Sequence, residues 1–413
     1  MKFLRRISSR QLGLLVIAVL ALGIAATGLA LATTGGGPKP DPKPLPVAVH
    51  EALNAPPVSG VTARVEFTNH LVSSSTIQGS DPLLSGASGR LWADPAGRLR
   101  LELQADLSGS GGAGDVQVLV DHNKVTVYDS SSNTAYEGSI PDKPDKGGAS
   151  DKGGSGGATE QPPSLTEIQQ EITEAMRYAG LSAAIPSDVA GQPAYTLRVS
   201  PKNDGGLLSG AELAWDATHG APLRAAIYAS GNSSPVLELK ATDISYGAVS
   251  SSVFNVSPPA GAKVVNLSPS KVANSGQHSD GPPVTGTDAV GKAVSFNLTA
   301  PDKLAGLNRS EVRLISSGKD AGALVTYGHG LGGIAVVELP AQKEAGSANG
   351  TSGSAGGGEQ SGLSLPKVSI NGVSGQELDT ALGTVVRFER DGVQYIVVGS
   401  VPPAAALAAA RGL

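Results

Sequence analysis

The stretch GQPAYTLRVSPKNDGGLLSGAELAWDATHGAPL, residues 191–223, decides the fold. Two apolar runs within it, Ala194 to Val199 and Gly210 to Asp216, have the length and composition of β-strands. The second run ends in a tight turn at Thr218-His219-Gly220, and Pro222-Leu223 begins a further strand. The stretch therefore predicts consecutive strands joined by turns.

Strands with one buried face continue on both sides of this stretch. Upstream, apolar residues alternate with polar ones from Val61 to Phe67 and again from Leu99 to Leu103. Turn sequences such as Asp94-Pro95-Ala96-Gly97 separate the runs, and such short connections predict an antiparallel meander. Downstream, Val236 to Tyr246 predicts another strand, and Val253 to Pro259 closes this part of the chain.

One segment predicts a helix. Ser164 and Glu167 form a capping box, in which each side chain accepts from the other residue's backbone N–H. Apolar residues then recur at helical spacing through Ala179, and Gly180 is expected to end the helix. Two interpretations remain open: an ordinary helix that covers the core, or a lid over a cavity.

The N-terminus predicts export. Residues 1–11 are basic, and 12–32 form an uncharged, largely apolar run long enough to cross a hydrocarbon core of about 30 Å. The preceding cations favour a cytoplasmic N-terminus, so that the rest of the chain is extracytoplasmic. The run is interpreted as an uncleaved anchor in the cell membrane, with a signal peptide cleaved after Ala32 as the alternative. The Pro-rich linker 33–46 predicts an extended spacer of roughly 40 Å.

Composition divides the remainder into two domains. The first spans 47–267 and contains a Gly- and Ser-rich insertion at 141–163, which is predicted to be disordered. A polar linker, 268–289, leads to a smaller domain at 290–413, which carries a similar insertion at 341–362.

Charge and motifs exclude several classes of function. The net charge is −5, and because 1–32 holds four cations and no acid, the rest carries −5 − 4 = −9, which disfavours nucleic acid. The chain has no cysteine, and its six histidines show no spacing typical of a metal site. Gly328–Gly333 resembles a dinucleotide loop, but a strand follows it, which indicates a hairpin turn. Gly153–Gly157 matches a nucleophile-elbow pattern by coincidence, within low-complexity sequence. The sequence therefore predicts no catalytic residue, no metal, no cofactor and no enzyme.

The first domain, from about Ser59 to Val264, resembles the LolA-like superfamily of envelope lipoprotein carriers. Relatives of this superfamily include glycolipid-handling lipoproteins and the lipoprotein-sensing domain of RseB-type sigma-factor regulators. The residues that carry the resemblance are Gly191 to Leu197, Ser200 to Lys202, Leu213 to Asp216, Gly220 to Leu223, and Phe254 with Pro258 to Ala262. A second resemblance, to a small domain that follows such modules in some envelope regulators, is carried by Gly328 to Val337 and Asp391 to Pro402.

The resemblance implies an α+β fold that is mainly antiparallel β. It consists of a half-closed β-barrel with lid helices and a smaller α+β C-terminal domain. The N-terminal transmembrane helix is predicted separately, from the apolar run 12–32. It also implies that acyl chains of a lipid or lipoprotein lie between barrel and helices. The candidate cavity residues are Val61, Val65, Phe67, Leu99, Leu101, Leu103, Ile168, Ile172 and Met176, although strand alternation could instead place some of them in a packed core.

The function expected from this resemblance is binding of lipid or lipoprotein by a protein tethered to the cytoplasmic membrane through residues 12–32. Free carriers are soluble and many relatives are anchored by a lipidated cysteine, whereas this chain has no cysteine and an apparent membrane helix. A tethered protein cannot shuttle freely between membranes, which favours local presentation, extraction or sensing. The alternative is an envelope-stress regulator that acts through protein–protein contacts on a membrane partner.

Overall fold

The structure, a computed structural model, describes residues 37–72, 82–105, 114–139, 163–202, 206–266, 284–317, 320–341 and 365–413. These form two compact units. The first holds the described residues up to 266 except 70–72 and 206–208, and the second holds these two segments together with the described residues from 284 to 413. The predicted membrane segment lies outside the described residues, in which no helix is both long and apolar enough to cross a bilayer.

A curled, half-barrel sheet builds the first unit. Its strands are β1 (Val61–Asn69), β2 (Ala87–Ala93), β3 (Arg98–Ala105), β4 (Asp115–Asp121), β5 (Lys124–Asp129), β6 (Thr134–Ser139), β7 (Ala179–Leu181), β8 (Ile185–Val189), β9 (Gln192–Pro201), β10 (Leu208–Asp216), β11 (Pro222–Ala229), β12 (Leu237–Tyr246) and β13 (Lys263–Asn266). The meander β1 to β6 and the run β9 to β12 are antiparallel, as predicted.

Long-range pairing joins these two runs into one sheet. Strand β1 pairs with β12, with Val61 opposite Tyr246, and the final strand β13 pairs with β6 in parallel. The sheet order is β13-β6-β5-β4-β3-β2-β1-β12-β11-β10-β9-β7, and β8 also pairs with β9.

Three helices lie on the first unit: α1 (Leu45–Leu53), α2 (Pro82–Ser85) and α3 (Leu165–Tyr178). Helix α3 begins with the predicted capping box, in which the Ser164 side chain accepts from the Glu167 N–H. Its predicted end is wrong, because Ala179 is already extended and begins β7. Gly180 is therefore a strand residue, and a Cβ there would lie 2.5 Å from Ser200 Oγ.

The second unit is an antiparallel sheet with helices on one face. Its strands are β14 (Lys303–Leu304), β15 (Leu307–Ser317), β16 (Asp320–Tyr327), β17 (Ile334–Pro340), β18 (Lys367–Ile370), β19 (Val373–Thr380), β20 (Gly383–Arg390) and β21 (Val393–Gly399), and its helices are α4 (Thr287–Ala293) and α5 (Pro403–Arg411). The sheet order is β14-β15-β16-β17-β21-β20-β19-β18. The glycine-rich loop Gly328–Gly333 joins β16 to β17 as a hairpin, as predicted.

Candidate functional site

Six of the predicted cavity residues form one apolar band on the first unit's sheet. Strand β2 lies between β1 and β3, and residues directly opposite one another share a face. Through this register Val65, Gly89 and Leu103 form one row. The six residues are Val61, Val65, Phe67, Leu99, Leu101 and Leu103. Val61 is half-buried, and the other five are at most 6% exposed.

The middle strand of this band carries small side chains. On this face of β2, Ala87, Gly89 and Ala93 are small, whereas Leu91 stands between Ala63 and Leu101, so the sheet surface is low at Gly89 but not along the whole strand. A Cβ on Gly89 would lie 1.9 Å from the Glu102 carbonyl oxygen and 3.1 Å from Leu103 Cδ2, so Leu103 lies close beside this glycine. The residues of β1 to β4 on this face include no ionisable side chain, so the band can hold hydrocarbon but has no acid, base or nucleophile.

Helices cover this side of the sheet unevenly. Helix α2 packs on β1, β3 and β4, whereas α3 packs against α1 and β7. Within α3, Ile168 is fully buried and Ile172 packs in a cluster around Trp215, but Met176 is 46% exposed. The structure thus gathers the six strand residues, places Ile172 in a different cluster and leaves Met176 at the surface.

Sequence reasoning missed the helix that anchors α3. Helix α1 contributes Leu45 and Ala48 to a cluster with Tyr195 of β9 and Trp215 of β10. Pro44 and Pro46 flank the start of α1 and were interpreted as part of an extended linker. Proline is also favoured in the first turn of a helix, and this signal could have indicated α1.

The end of the Pro-rich segment packs on the first unit, in contrast to the predicted free spacer. Tyr195 Oη donates to the Asp41 carbonyl at 2.6 Å, and Lys43 forms a β-bridge with Ala184 beside β8. Gly37 lies so close to Asp188 that a Cβ would be 2.0 Å from its carboxylate. Residues 37–44 are therefore part of the folded unit.

The opposite face of the sheet is polar. Glu212 lies between Arg198 and Arg224, and Arg224 also pairs with Glu238 at 2.5 Å. Burial alone would lower the pKa of Arg224, but its bonds to Glu212 and the charge of Glu238 raise it above the ordinary value. Burial raises the pKa of Tyr228, which contacts the same pair, to about 12. The mutual hydrogen bonds and ion pairs of this network suit it to a structural role.

Two shallow cavities also lie on the polar face, beneath the segment Val253–Pro259. The larger, of 390 Å³, is lined by Asp121, Lys124 and Glu137, and the smaller by Arg100 and Gln117 among others. The charged residues of the larger cavity do not fit an acyl chain. The smaller cavity combines Arg100 and Gln117 with apolar residues that include Val118, Leu119 and Val256.

A buried carboxylate organises the turn between β10 and β11. Asp216 Oδ1 accepts from the backbone N–H groups of Thr218 and His219, and Oδ2 accepts from Tyr246 Oη at 2.6 Å. Burial alone would raise the pKa of Asp216, but these bonds lower it. Gly220 has a positive φ of +66°, and its backbone lies so close to Ala52 of α1 that a Cβ would be 2.2 Å from the Ala52 carbonyl oxygen. The arrangement locks the turn.

No group of three or more metal-ligating side chains occurs in the described part of the chain. The most perturbed carboxyl is Glu338 in the second unit, which is fully buried. Burial raises its pKa to about 7, and the Thr299 N–H, which donates to Oε2 at 2.9 Å, opposes the shift.

Comparisons with known proteins give a likeness only among solved structures, since no protein family and no curated protein matches the chain. The crystal structure of MucB in complex with MucA(peri) is 16% identical at a TM-score of 0.38, covering 89% of this chain and 94% of that one. An uncharacterised conserved protein from Thermus thermophilus is 14% identical at a TM-score of 0.31, covering 53% and 95%. A putative outer membrane lipoprotein-sorting protein domain from Vibrio parahaemolyticus is 12% identical at a TM-score of 0.17, covering 51% and 96%.

Proposed function

We propose that this protein binds acyl chains of a lipid or lipoprotein on the apolar band of its first unit, while held at the outer face of the cytoplasmic membrane. The observation that carries the proposal is the band itself. Apolar side chains of β1 and β3 flank β2, whose residues on this face are small except for Leu91, and the face of β1 to β4 has no ionisable group.

The closed arrangement requires that a helix move before an acyl chain enters. Of the 14 residues of α3, only Ile168 is fully buried, and Met176 and Tyr178 are largely exposed. A helix held by few buried side chains belongs to the least stable part of a fold and opens most readily. We propose α3 as the part that moves, whereas α2 is the helix that packs directly on β1, β3 and β4.

Transfer of hydrocarbon from water supplies the binding free energy. Each buried methylene contributes about 0.8 kcal/mol, so a long acyl chain offers on the order of 10 kcal/mol before the costs of opening. Leu103 must then move away from Gly89. Because this residue controls the free space, its size should control lipid uptake.

Native mass spectrometry after export and purification of residues 37–413 tests the proposal. We expect a co-purifying lipid, more lipid in Leu103→Ala, and less in Leu103→Phe, which fills the space beside Gly89. Leu119→Ala is the matched control, because Leu119 lies on the polar face of β4 and lines the cavities there. An apo mass that persists when lipids are added, or equal effects of the two alanine variants, would overturn the proposal.

A further inference from the structure

The sheet of the second unit has helices on one face only, among the described residues. Val290 of α4 and Ala406, Ala409 and Ala410 of α5 share a core cluster with the inward residues of the strands. These inward residues include Val325, Val336, Val386 and Val397. Both helices therefore cover the same face, and the alternate residues of each strand point to the other face, here called the outer face.

The outer face carries a continuous apolar patch across four strands. Leu324, Val337 and Ile396 stand directly opposite one another on β16, β17 and β21. In the next row Ala335, Val398 and Val385 stand opposite one another on β17, β21 and β20. We call these six residues the outer patch.

The outer patch is accessible. Val398 is 40% exposed and the other five residues are half-buried, although all are apolar. None of the six packs against the unit's core cluster. An apolar sheet face that no described element of its unit covers is unusual in a protein surface and marks a site of interaction.

Two arginines flank the central row of the patch. Arg313 stands opposite Leu324 on β15, and Arg387 stands opposite Ile396 on β20. Both side chains are exposed, and neither forms an ion pair within the described part of the chain. Along this row, a cation lies at each end and three apolar residues lie between the two cations.

The spacing of these cations fits a helix. Four strand intervals of about 4.8 Å separate Arg313 from Arg387, about 19 Å in all. A helix laid along the strands is about 10 Å across, so a guanidinium can reach each of its flanks. Glu311 and Glu389 stand two residues from these arginines on the same face, so carboxylates of the helix would meet the arginines when they lie level with the central row.

A second copy of this chain fits less well. If two outer patches stacked about a two-fold axis along the strands, Arg313 would face the partner's Arg387. If the axis ran across the strands, Arg313 would face its own counterpart. Like charges brought together at an interface oppose association.

We infer that the outer patch is the docking surface for an amphipathic helix of a partner protein, with an apolar stripe flanked on both sides by acidic residues. This inference concerns the second unit and does not depend on lipid binding by the first. The juxtaposition that carries it is the apolar rows of β16, β17, β21 and β20 between Arg313 and Arg387.

Binding of designed peptides to the full chain in detergent tests the inference. The probes are fluorescent helical peptides of about 18 residues, or five turns, with a Leu/Ile stripe flanked either by Glu or by Lys. We expect the Glu-flanked peptide to bind and the Lys-flanked one to bind far less. The double variant R313E/R387E should weaken the first about tenfold and strengthen the second, because two attractions become repulsions.

Two further variants separate this outcome from general effects. R64E/R90E makes the same change of charge with exposed arginines of β1 and β2 and should leave binding unchanged. Val398→Asp should weaken both peptides without lowering the melting temperature. Failure of both peptides to bind would overturn the inference. So would a dimer, or flotation with anionic vesicles, that Val398→Asp abolishes, since a second copy or a membrane would then be the occupant.

Discussion

Tyr246 is the residue that completes the turn between β10 and β11, because its hydroxyl donates to the fully buried Asp216 carboxylate. We expect Tyr246→Phe to lower the free energy of unfolding by about 1–3 kcal/mol, since a buried acceptor loses a donor. Urea unfolding measures the effect. Tyr178→Phe removes the same hydroxyl at a side chain that is 75% exposed and should have no effect. Equal losses in the two variants would show that the buried bond is not the cause.

Glu338 gives the second unit a dependence on pH. Because burial raises its pKa from 4.5 to about 7, the folded state holds the proton more tightly than the unfolded state. The associated stability is fully present below pH 4.5 and is lost as the pH rises through 7, by about 3 kcal/mol over the whole range.

Glu338→Gln should therefore flatten the decline in stability between about pH 5 and pH 8, because the amide stays neutral and still accepts from Thr299. Thermal unfolding at these two pH values measures the change in stability. Glu389→Gln, an exposed acid on β20, is the control and should keep the decline. If the stability of Glu338→Gln still falls between these pH values, another titrating group causes the pH dependence.

Helix α3 depends on its capping box. In Ser164→Ala the N–H of Glu167 loses its acceptor, which should destabilise the helix by about 1 kcal/mol. Because α3 has little buried surface, we expect the loss to appear as roughly fivefold faster amide exchange in 165–178, and as faster lipid uptake. Thr166→Ala, at an exposed position in the same turn, should change neither rate. Protection unchanged in Ser164→Ala would mean that packing alone holds the helix.

The sequence predicted those strands in which apolar and polar residues alternate clearly. The sequence located the start of β11 to the residue, and both ends of β9, β10 and β12 to within two residues. It missed β18 and β19, which are short of apolar residues, and α1, whose prolines suggested an extended chain. For the candidate site, alternation assigned the face of the six strand residues. Helical periodicity could not show that α3 docks by Ile168 and Ile172 and leaves Met176 exposed.

At the scale of the whole molecule, residues 37–44 belong to the first unit rather than to a spacer. A chain that begins at residue 45 should lose about 1–3 kcal/mol of stability relative to one that begins at 37, because the buried Tyr195 hydroxyl loses the Asp41 carbonyl. Calorimetry compares the two chains. Tyr195→Phe should lower the stability of the longer chain but not of the shorter. An equal effect in both chains would show that the Asp41 contact contributes nothing.

The partners of the strands were beyond sequence reasoning. Nothing in Val61–Asn69 indicates that its second neighbour is β12, about 180 residues later, or that β13 returns in parallel to β6. These pairings depend on which strand edges are still unpaired after the local hairpins have formed. The set of unpaired edges is a property of the assembled sheet and not of any one strand.

The same pairing sets an order on folding during synthesis. The meander β1 to β6 leaves the ribosome with one long edge of β1 unpaired, and it stays so until residue 246 has followed. An unpaired edge is where chains associate wrongly, and distant pairings form slowly. The nascent protein therefore passes through an interval in which a holding chaperone would raise its yield, and a chain truncated before β12 would aggregate rather than fold.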